Sequence, residues 1–182
     1  MHHFVGAIAV LLLVLTSAVT VYGDASHEGW PTNDCRYRTA PDRTGARHGT
    51  GSGCGVYRSH DEDQNGVLPG TADTDELLGG HGNDLIYGRG AGDVIWWDFR
   101  PSDQPAGQID ELYGGDGNDF IYVSHGTNRV FGGAGNDTIR AHYGRGGTID
   151  CGPGNDSLHL SHRSERRYHP VTNCERVDNK PE

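Results

Sequence analysis

GGDGNDFIY, residues 114–122, packs four glycine or asparagine residues, two aspartates and a short apolar tail into nine positions. Nearly the same words recur as GGHGNDLIY at 79–87 and GGAGNDTIR at 132–140. Internal periodicity of this kind decides the fold before any local propensity does. In nine-residue rows the chain reads DEDQNGVLP (61–69), GTADTDELL (70–78), GGHGNDLIY (79–87) and GRGAGDVIW (88–96). Eight residues, WDFRPSDQ (97–104), interrupt. The register resumes with PAGQIDELY (105–113), GGDGNDFIY (114–122), VSHGTNRVF (123–131) and GGAGNDTIR (132–140). After a one-residue slip at Ala141 come HYGRGGTID (142–150) and CGPGNDSLH (151–159).

Two columns carry the regularity. Position 8 is aliphatic in all ten rows: Leu68, Leu77, Ile86, Ile95, Leu112, Ile121, Val130, Ile139, Ile149 and Leu158. Position 6 is Asp75, Asp84, Asp93, Asp110, Asp119, Asp137 and Asp156, with Gly66, Asn128 and Gly147 in the other rows. Glycine lets the backbone turn through positive φ and present successive carbonyls on one side. A carboxylate closing such a turn adds a hard anionic oxygen. Carbonyl and carboxylate oxygens suit Ca²⁺, whereas nitrogen and sulfur donors select other metals. The last three residues of each row alternate out–in–out as a short strand, so position 8 is expected to face the core and positions 7 and 9 the solvent.

Each row resembles GGxGxDxUx, with U a large aliphatic residue, and on that motif the stretch from about 61 to 159 is similar to the calcium-binding nonapeptide of RTX (haemolysin-type) proteins. The resemblance is sharpest at rows 79, 114, 132 and 151 and weakest at 61, 123 and 142. It implies an all-β fold, a right-handed parallel β-roll of two short-strand sheets, stabilised by several Ca²⁺ ions. It also implies a six-ligand site shared by two stacked turns. The first turn supplies the carbonyls of positions 2 and 4 with its aspartate; the second supplies the carbonyls of positions 1 and 3 with its own.

Successive turns fall on opposite edges, so rows two apart are neighbours. If 97–104 loops out, one edge collects rows 70, 88, 114, 132 and 151, with Asp75, Asp93, Asp119, Asp137 and Asp156. The other edge keeps only Asp84 and Asp110. If 97–104 instead forms a short row, the assignments upstream of 105 exchange. The best-matched site implied by the resemblance uses Gly115, Gly117, Asp119, Gly132, Ala134 and Asp137. The next uses Gly133, Gly135, Asp137, Cys151, Pro153 and Asp156, and a weaker one Arg89, Ala91, Asp93, Gly114, Asp116 and Asp119. Row 142, with Gly147 at position 6, is expected to bind nothing.

A core of one aliphatic per row is thin. Each contributes roughly 1.5–3 kcal/mol on burial, while ordering each backbone residue costs about 1–2 kcal/mol. Aspartates on adjacent turns also repel one another. Cations that bind only the wound state offset both deficits, so binding and folding are linked.

The remainder of the 182 residues bounds the setting. A formal net charge of −10, with Lys180 the only lysine, excludes a phosphate-binding surface and nucleic acid as a partner. The apolar run 4–22, FVGAIAVLLLVLTSAVTVY, reads as a secretory signal spanning 1–23, with an uncleaved anchor as the alternative. Once it is cleaved, no transmembrane segment is expected in the remainder, and the mature chain lies outside the cell. Four cysteines agree with an oxidising compartment, and nearest-neighbour pairing gives Cys35–Cys54 in an N-terminal cap (24–60) and Cys151–Cys174 in a C-terminal cap (160–182).

Rival motifs fall short. DEDQN at 61–65 begins like an EF-hand loop but lacks the Glu at position 12, and HLSH at 159–162 with His169 matches no zinc spacing. GTGSGCG at 49–55 fits no nucleotide loop, and no GxSxG occurs. The expectation is a secreted calcium-binding module without a catalytic site, with cell-surface or matrix components as candidate partners. A metal-dependent hydrolase, using histidines such as His125 and His142 beside the 97–104 excursion, and a fragment of a secreted effector are the alternatives.

Overall fold

The computed structural model describes residues 35–37, 47–59, 65–96, 107–123, 125–161 and 166–180. The expected signal segment and the 97–104 excursion lie outside these residues. Among the described residues no helix is long and apolar enough to cross a membrane.

The chain opens with β1 (Arg36–Tyr37), β2 (Arg47–Thr50) and β3 (Cys54–Ser59). The repeat rows then give one strand each: β4 (Gly66–Pro69), β5 (Thr74–Leu78), β6 (Asp84–Gly90), β7 (Val94–Trp96) and β8 (Glu111–Asp116). They continue as β9 (Phe120–Tyr122), β10 (Thr127–Ala134), β11 (Thr138–Ala141), β12 (Gly146–Asp150) and β13 (Ser157–Ser161). Beyond the last row lie β14 (Tyr168–Thr172) and β15 (Arg176–Lys180).

Alternate strands pair. One sheet runs β1-β2-β3-β5-β7-β9-β11-β13-β15 and the other β14-β12-β10-β8-β6-β4. All pairs within the repeats are parallel, as a solenoid requires. Position 8 meets position 8 throughout, with Leu77 opposite Ile95, Ile95 opposite Ile121, Ile121 opposite Ile139 and Ile139 opposite Leu158. The pairings Ile95–Ile121 and Ile86–Leu112 cross the interruption in register. Rows 70, 88, 114, 132 and 151 therefore share one sheet.

All ten position-8 side chains are buried, none more than 2% exposed. The core is wider than that single column, however. Val56, Val123, Ala141, Cys151, Leu160 and Tyr168 are buried with it. Val123 and Cys151 open their rows at position 1, where the chain turns into the interior, and Leu160 continues β13 by one inward-facing residue. The outward assignment of position 7 also fails at Val94 and Phe120, each 6% exposed. These two pair across β7 and β9, and the Arg140 guanidinium lies 5.2 Å from the Phe120 ring centroid. On the outer face of the other sheet, Tyr87, Tyr113 and Phe131 stack at 5.0 and 4.7 Å, so position-9 aromatics cover one another rather than standing in solvent.

The two ends are closed differently. At the N-terminal end β1–β2–β3 pair antiparallel, and the Cys35–Cys54 disulfide fastens β3. At the C-terminal end β14 and β15 extend the two sheets in parallel, Val171 opposite Ile149 and Val177 opposite Leu158. The C-terminal segment is thus one more winding of the roll, tied by Cys151–Cys174. Both disulfides follow the nearest-neighbour pairing.

Candidate metal centre

Position 6 ends the turn and begins the strand, and its side chain folds inward beneath the corner. Asp75, Asp84, Asp93, Asp110, Asp119, Asp137 and Asp156 are all buried, at 3% exposure or less. On the edge of the nine-stranded sheet they form a ladder. The Asp75 amide donates to Oδ1 of Asp93 (2.7 Å), Asp93 to Asp119 (2.8 Å), Asp119 to Asp137 (2.8 Å) and Asp137 to Asp156 (2.7 Å). Each carboxylate therefore spends one oxygen on the preceding turn. The second oxygens of Asp93, Asp119, Asp137 and Asp156 are buried without a hydrogen-bond partner.

Anionic oxygen buried and unpartnered is costly unless a cation or proton joins it. Burial is the main cause that pushes Asp93 up to about 8, Asp119 to about 7 and Asp137 to about 6; accepting a backbone N–H lowers each, and neighbouring aspartates raise each again. Burial also raises Asp75 and Asp156.

Backbone carbonyls surround these oxygens. A Cβ on Gly114 would lie 2.2 Å from the Gly132 carbonyl and 2.4 Å from Asp119 Oδ2, and one on Gly132 would lie 2.2 Å from the Cys151 carbonyl and 2.6 Å from Asp137 Oδ2. The free carboxylate oxygen of one turn and the position-1 carbonyl of the next thus converge on a cradle that only glycine leaves open. The carbonyls of positions 2 and 4 face the following turn. Those of Gly115 and Gly117 lie 2.0 and 1.8 Å from where Cβ atoms of Gly133 and Gly135 would be. Gly115, Gly117, Gly133 and Gly135 all have positive φ, 110–138°. In row 88 Arg89 and Ala91 adopt the same region, at 84° and 66°, so that turn keeps its shape against side-chain preference.

The carbonyls expected from the second turn are held in place by N–H donors of the first. Gly117 donates to Ala134 (2.7 Å), Gly133 to Cys151 (3.1 Å) and Gly135 to Pro153 (3.0 Å). A carbonyl has a second lone pair, so this fixes the oxygens without consuming them. Two carboxylates and four carbonyls fit a hard divalent cation such as Ca²⁺. Among the described residues no three His, Cys, Asp or Glu side chains converge, so the donor set there is not that of zinc. His159 lies instead 3.6 Å from Asp178.

The ladder has a protein-made start. Asp75 Oδ1 accepts the Val56 amide, and its Oδ2 accepts the amide and hydroxyl of Thr71. Asp75 is thus satisfied more fully than the four aspartates below it.

The opposite edge diverges. The Asp84 amide donates to Asp110 Oδ1 at 2.8 Å, but Asn128 and Gly147 follow in the column. There the buried Tyr168 side chain enters the turn: a Cβ on Gly144 would lie 1.8 Å from its hydroxyl oxygen. Burial raises the phenol, Asn128 beside it lowers it, and the Asp110 charge raises it again. A neutral amide and a hydroxyl stand where the other edge has carboxylates. His125 stacks on Tyr143 at 5.7 Å nearby, while the excursion that a catalytic cleft would need lies outside the described residues.

Three contributors escape a reading of positions 6 and 8. Position-5 asparagines form a second ladder of opposite sense: Asn118 Oδ1 accepts the Asn136 amide (2.7 Å), and Asn136 Oδ1 the Asn155 amide (2.9 Å). The recurring Asn-Asp pair was its signal. Glu175 accepts the Asp156 amide at 2.8 Å, and its spacing to Val177 repeats that of Asp156 to Leu158. Tyr168 has no such signal.

No curated protein and no solved structure matches the chain. The RTX calcium-binding nonapeptide repeat, in four copies, matches residues 69–96 and 107–139, which contain Asp75, Asp84, Asp93, Asp110, Asp119 and Asp137. Stacked carboxylates, carbonyl-lined turns and this match lead to one conclusion: the chain carries RTX calcium-binding repeats, wound as a parallel β-roll.

Proposed function

We propose that the protein is a secreted calcium-binding structural module whose ions hold the roll together outside the cell. The observation that carries this reading is the file of buried, unpartnered oxygens on Asp93, Asp119, Asp137 and Asp156. Ca²⁺ would be held between rows 114 and 132 by Asp119, Asp137 and the carbonyls of Gly115, Gly117, Gly132 and Ala134. Between rows 132 and 151 it would be held by Asp137, Asp156 and the carbonyls of Gly133, Gly135, Cys151 and Pro153. The bound ion supplies charge compensation and cross-links neighbouring turns.

Extracellular calcium modules bind at around 10⁻⁴ to 10⁻³ M, a range that keeps the chain unwound in the cytosol and winds it after export. The apolar run at 4–22 and the two disulfides support that route. The role is binding or structural rather than catalytic, with cell-surface or matrix components as the partners.

Circular dichroism of the exported chain with and without Ca²⁺ tests the reading. Strand signal should appear with calcium and be lost in EGTA. Equal structure in both would overturn it.

A further inference from the structure

The aspartate ladder does not stop at the last repeat. Asp156 donates its amide to Glu175 Oε2 at 2.8 Å, the bond that each earlier rung gives to the next aspartate. Strand register confirms the equivalence. Ser157 lies opposite Arg176 and Leu158 opposite Val177, so Glu175 falls in the column of Asp137 and Asp156. The corner before it is contracted. Thr172 lies opposite Asp150, at position 9, and only three steps separate it from Glu175, against six from Phe131 to Asp137. A glutamate, one methylene longer than aspartate, spans the shortened corner. The Cys151–Cys174 disulfide pins the residue before it to the start of row 151.

Asp156 is fully buried, and its Oδ2 has no hydrogen-bond partner. In the rows above, the equivalent oxygen lies beside the carbonyl of the following turn. Here the following turn has no residues at positions 1 to 3, and a second carboxylate arrives instead. The carbonyls of Gly152 and Gly154 belong to positions 2 and 4, which in the preceding rows face the next turn.

We propose that Asp156, Glu175 and the carbonyls of Gly152 and Gly154 form a terminal calcium site, open to water on its outer side. It rests on the calcium reading above and adds an ion outside the nonapeptide match. Four protein groups leave part of the six to eight oxygen positions of Ca²⁺ to solvent. This ion therefore exchanges faster and binds more weakly than those between two complete turns.

Calorimetric Ca²⁺ titration of the full chain and of Glu175→Gln, with circular dichroism in saturating Ca²⁺, tests the site. Glutamine keeps an acceptor for the Asp156 amide and removes only the charge, so a capping role alone predicts no change. The expected result is a native spectrum with one fewer ion bound, the weakest class being the one lost. Asp156→Asn should lose that ion and the one between rows 132 and 151. If the wild-type chain binds calcium and Glu175→Gln binds the same number with the same isotherm, the terminal site is refuted while the calcium reading stands. A wild-type chain that binds no calcium overturns both.

Discussion

The amide of Asp119 donates to Oδ1 of Asp137 across one full winding of the roll, at 2.8 Å, and leaves Asp137 Oδ2 buried and unpartnered. One side chain therefore does two separable things. It satisfies the backbone of the preceding turn, and it presents an anionic oxygen to the space between turns.

Asp137→Asn separates them. The amide oxygen still accepts the Asp119 N–H, but the charge is gone. In EGTA the variant should keep more strand signal than wild type, because no buried charge has to be accommodated. In Ca²⁺ it should unfold at a lower temperature and bind two fewer ions, since Asp137 serves two sites. Asp137→Ala also orphans the Asp119 amide, at a cost of about 1–3 kcal/mol, and should be the less stable variant in both media. Circular dichroism in EGTA and thermal denaturation in calcium distinguish the cases.

The metal-free chain should order on acidification. Asp93, Asp119 and Asp137 are raised from 3.8 to about 8, 7 and 6, chiefly by burial. Between those values the folded chain binds protons that the unfolded chain releases. Stability of the metal-free roll is therefore greatest below about 4 and falls as pH rises to 8. In EGTA strand signal should be larger at pH 5 than at pH 8, whereas calcium affinity should rise with pH as protons stop competing. Equal strand signal at the two pH values in EGTA would show that these carboxylates do not control folding.

Gly114→Ala should abolish the ion between rows 114 and 132. Its Cβ would meet the Gly132 carbonyl at 2.2 Å and Asp119 Oδ2 at 2.4 Å, and backbone cannot yield by that amount. Gly90→Ala is the control, because its nearest contact would be Ala72 Cα at 3.7 Å, an ordinary separation. Counting bound ions for the two variants, with wild type alongside, checks the cradle directly.

Tyr168→Phe should leave stability in calcium nearly unchanged, because the buried hydroxyl has no hydrogen-bond partner to orphan. The number of bound ions should not change. A loss of stability together with a bound ion would mean that the hydroxyl acts through a metal rather than in place of one.

Much of this was legible in the sequence because a solenoid writes its geometry as a period. Leu77, Ile95, Ile121, Ile139 and Leu158 share one column and meet in one sheet. The 97–104 excursion left two edge assignments open, and strand register decided between them. What escaped lies where the period weakens. Tyr168 reaches a turn more than twenty residues earlier, and nothing local to it marks a core position. Val94 stands opposite Phe120, and Arg140 lies over the Phe120 ring, cross-strand relations invisible along one strand. Glu175 was masked because three residues are missing from its corner, which displaces it from the nine-residue count.

The two opposed ladders also set the grain in which this protein can change length. Asparagine oxygens reach forward to Asn136 and Asn155, aspartate oxygens reach back to Asp119 and Asp137, and these partners stand 18 or 19 residues apart. Removal of one whole winding would leave every column aligned and shorten the roll by a rung in each sheet. Removal of a single nine-residue row would transpose everything downstream, setting the Asn128 edge beneath the aspartate edge. The Asp93–Asp119 bond forms across a separation of 26, eight more than one winding, so added residues between two rows need not break the ladder. Growth and loss in this chain are thus quantised in pairs of rows, with free variation confined to the seams.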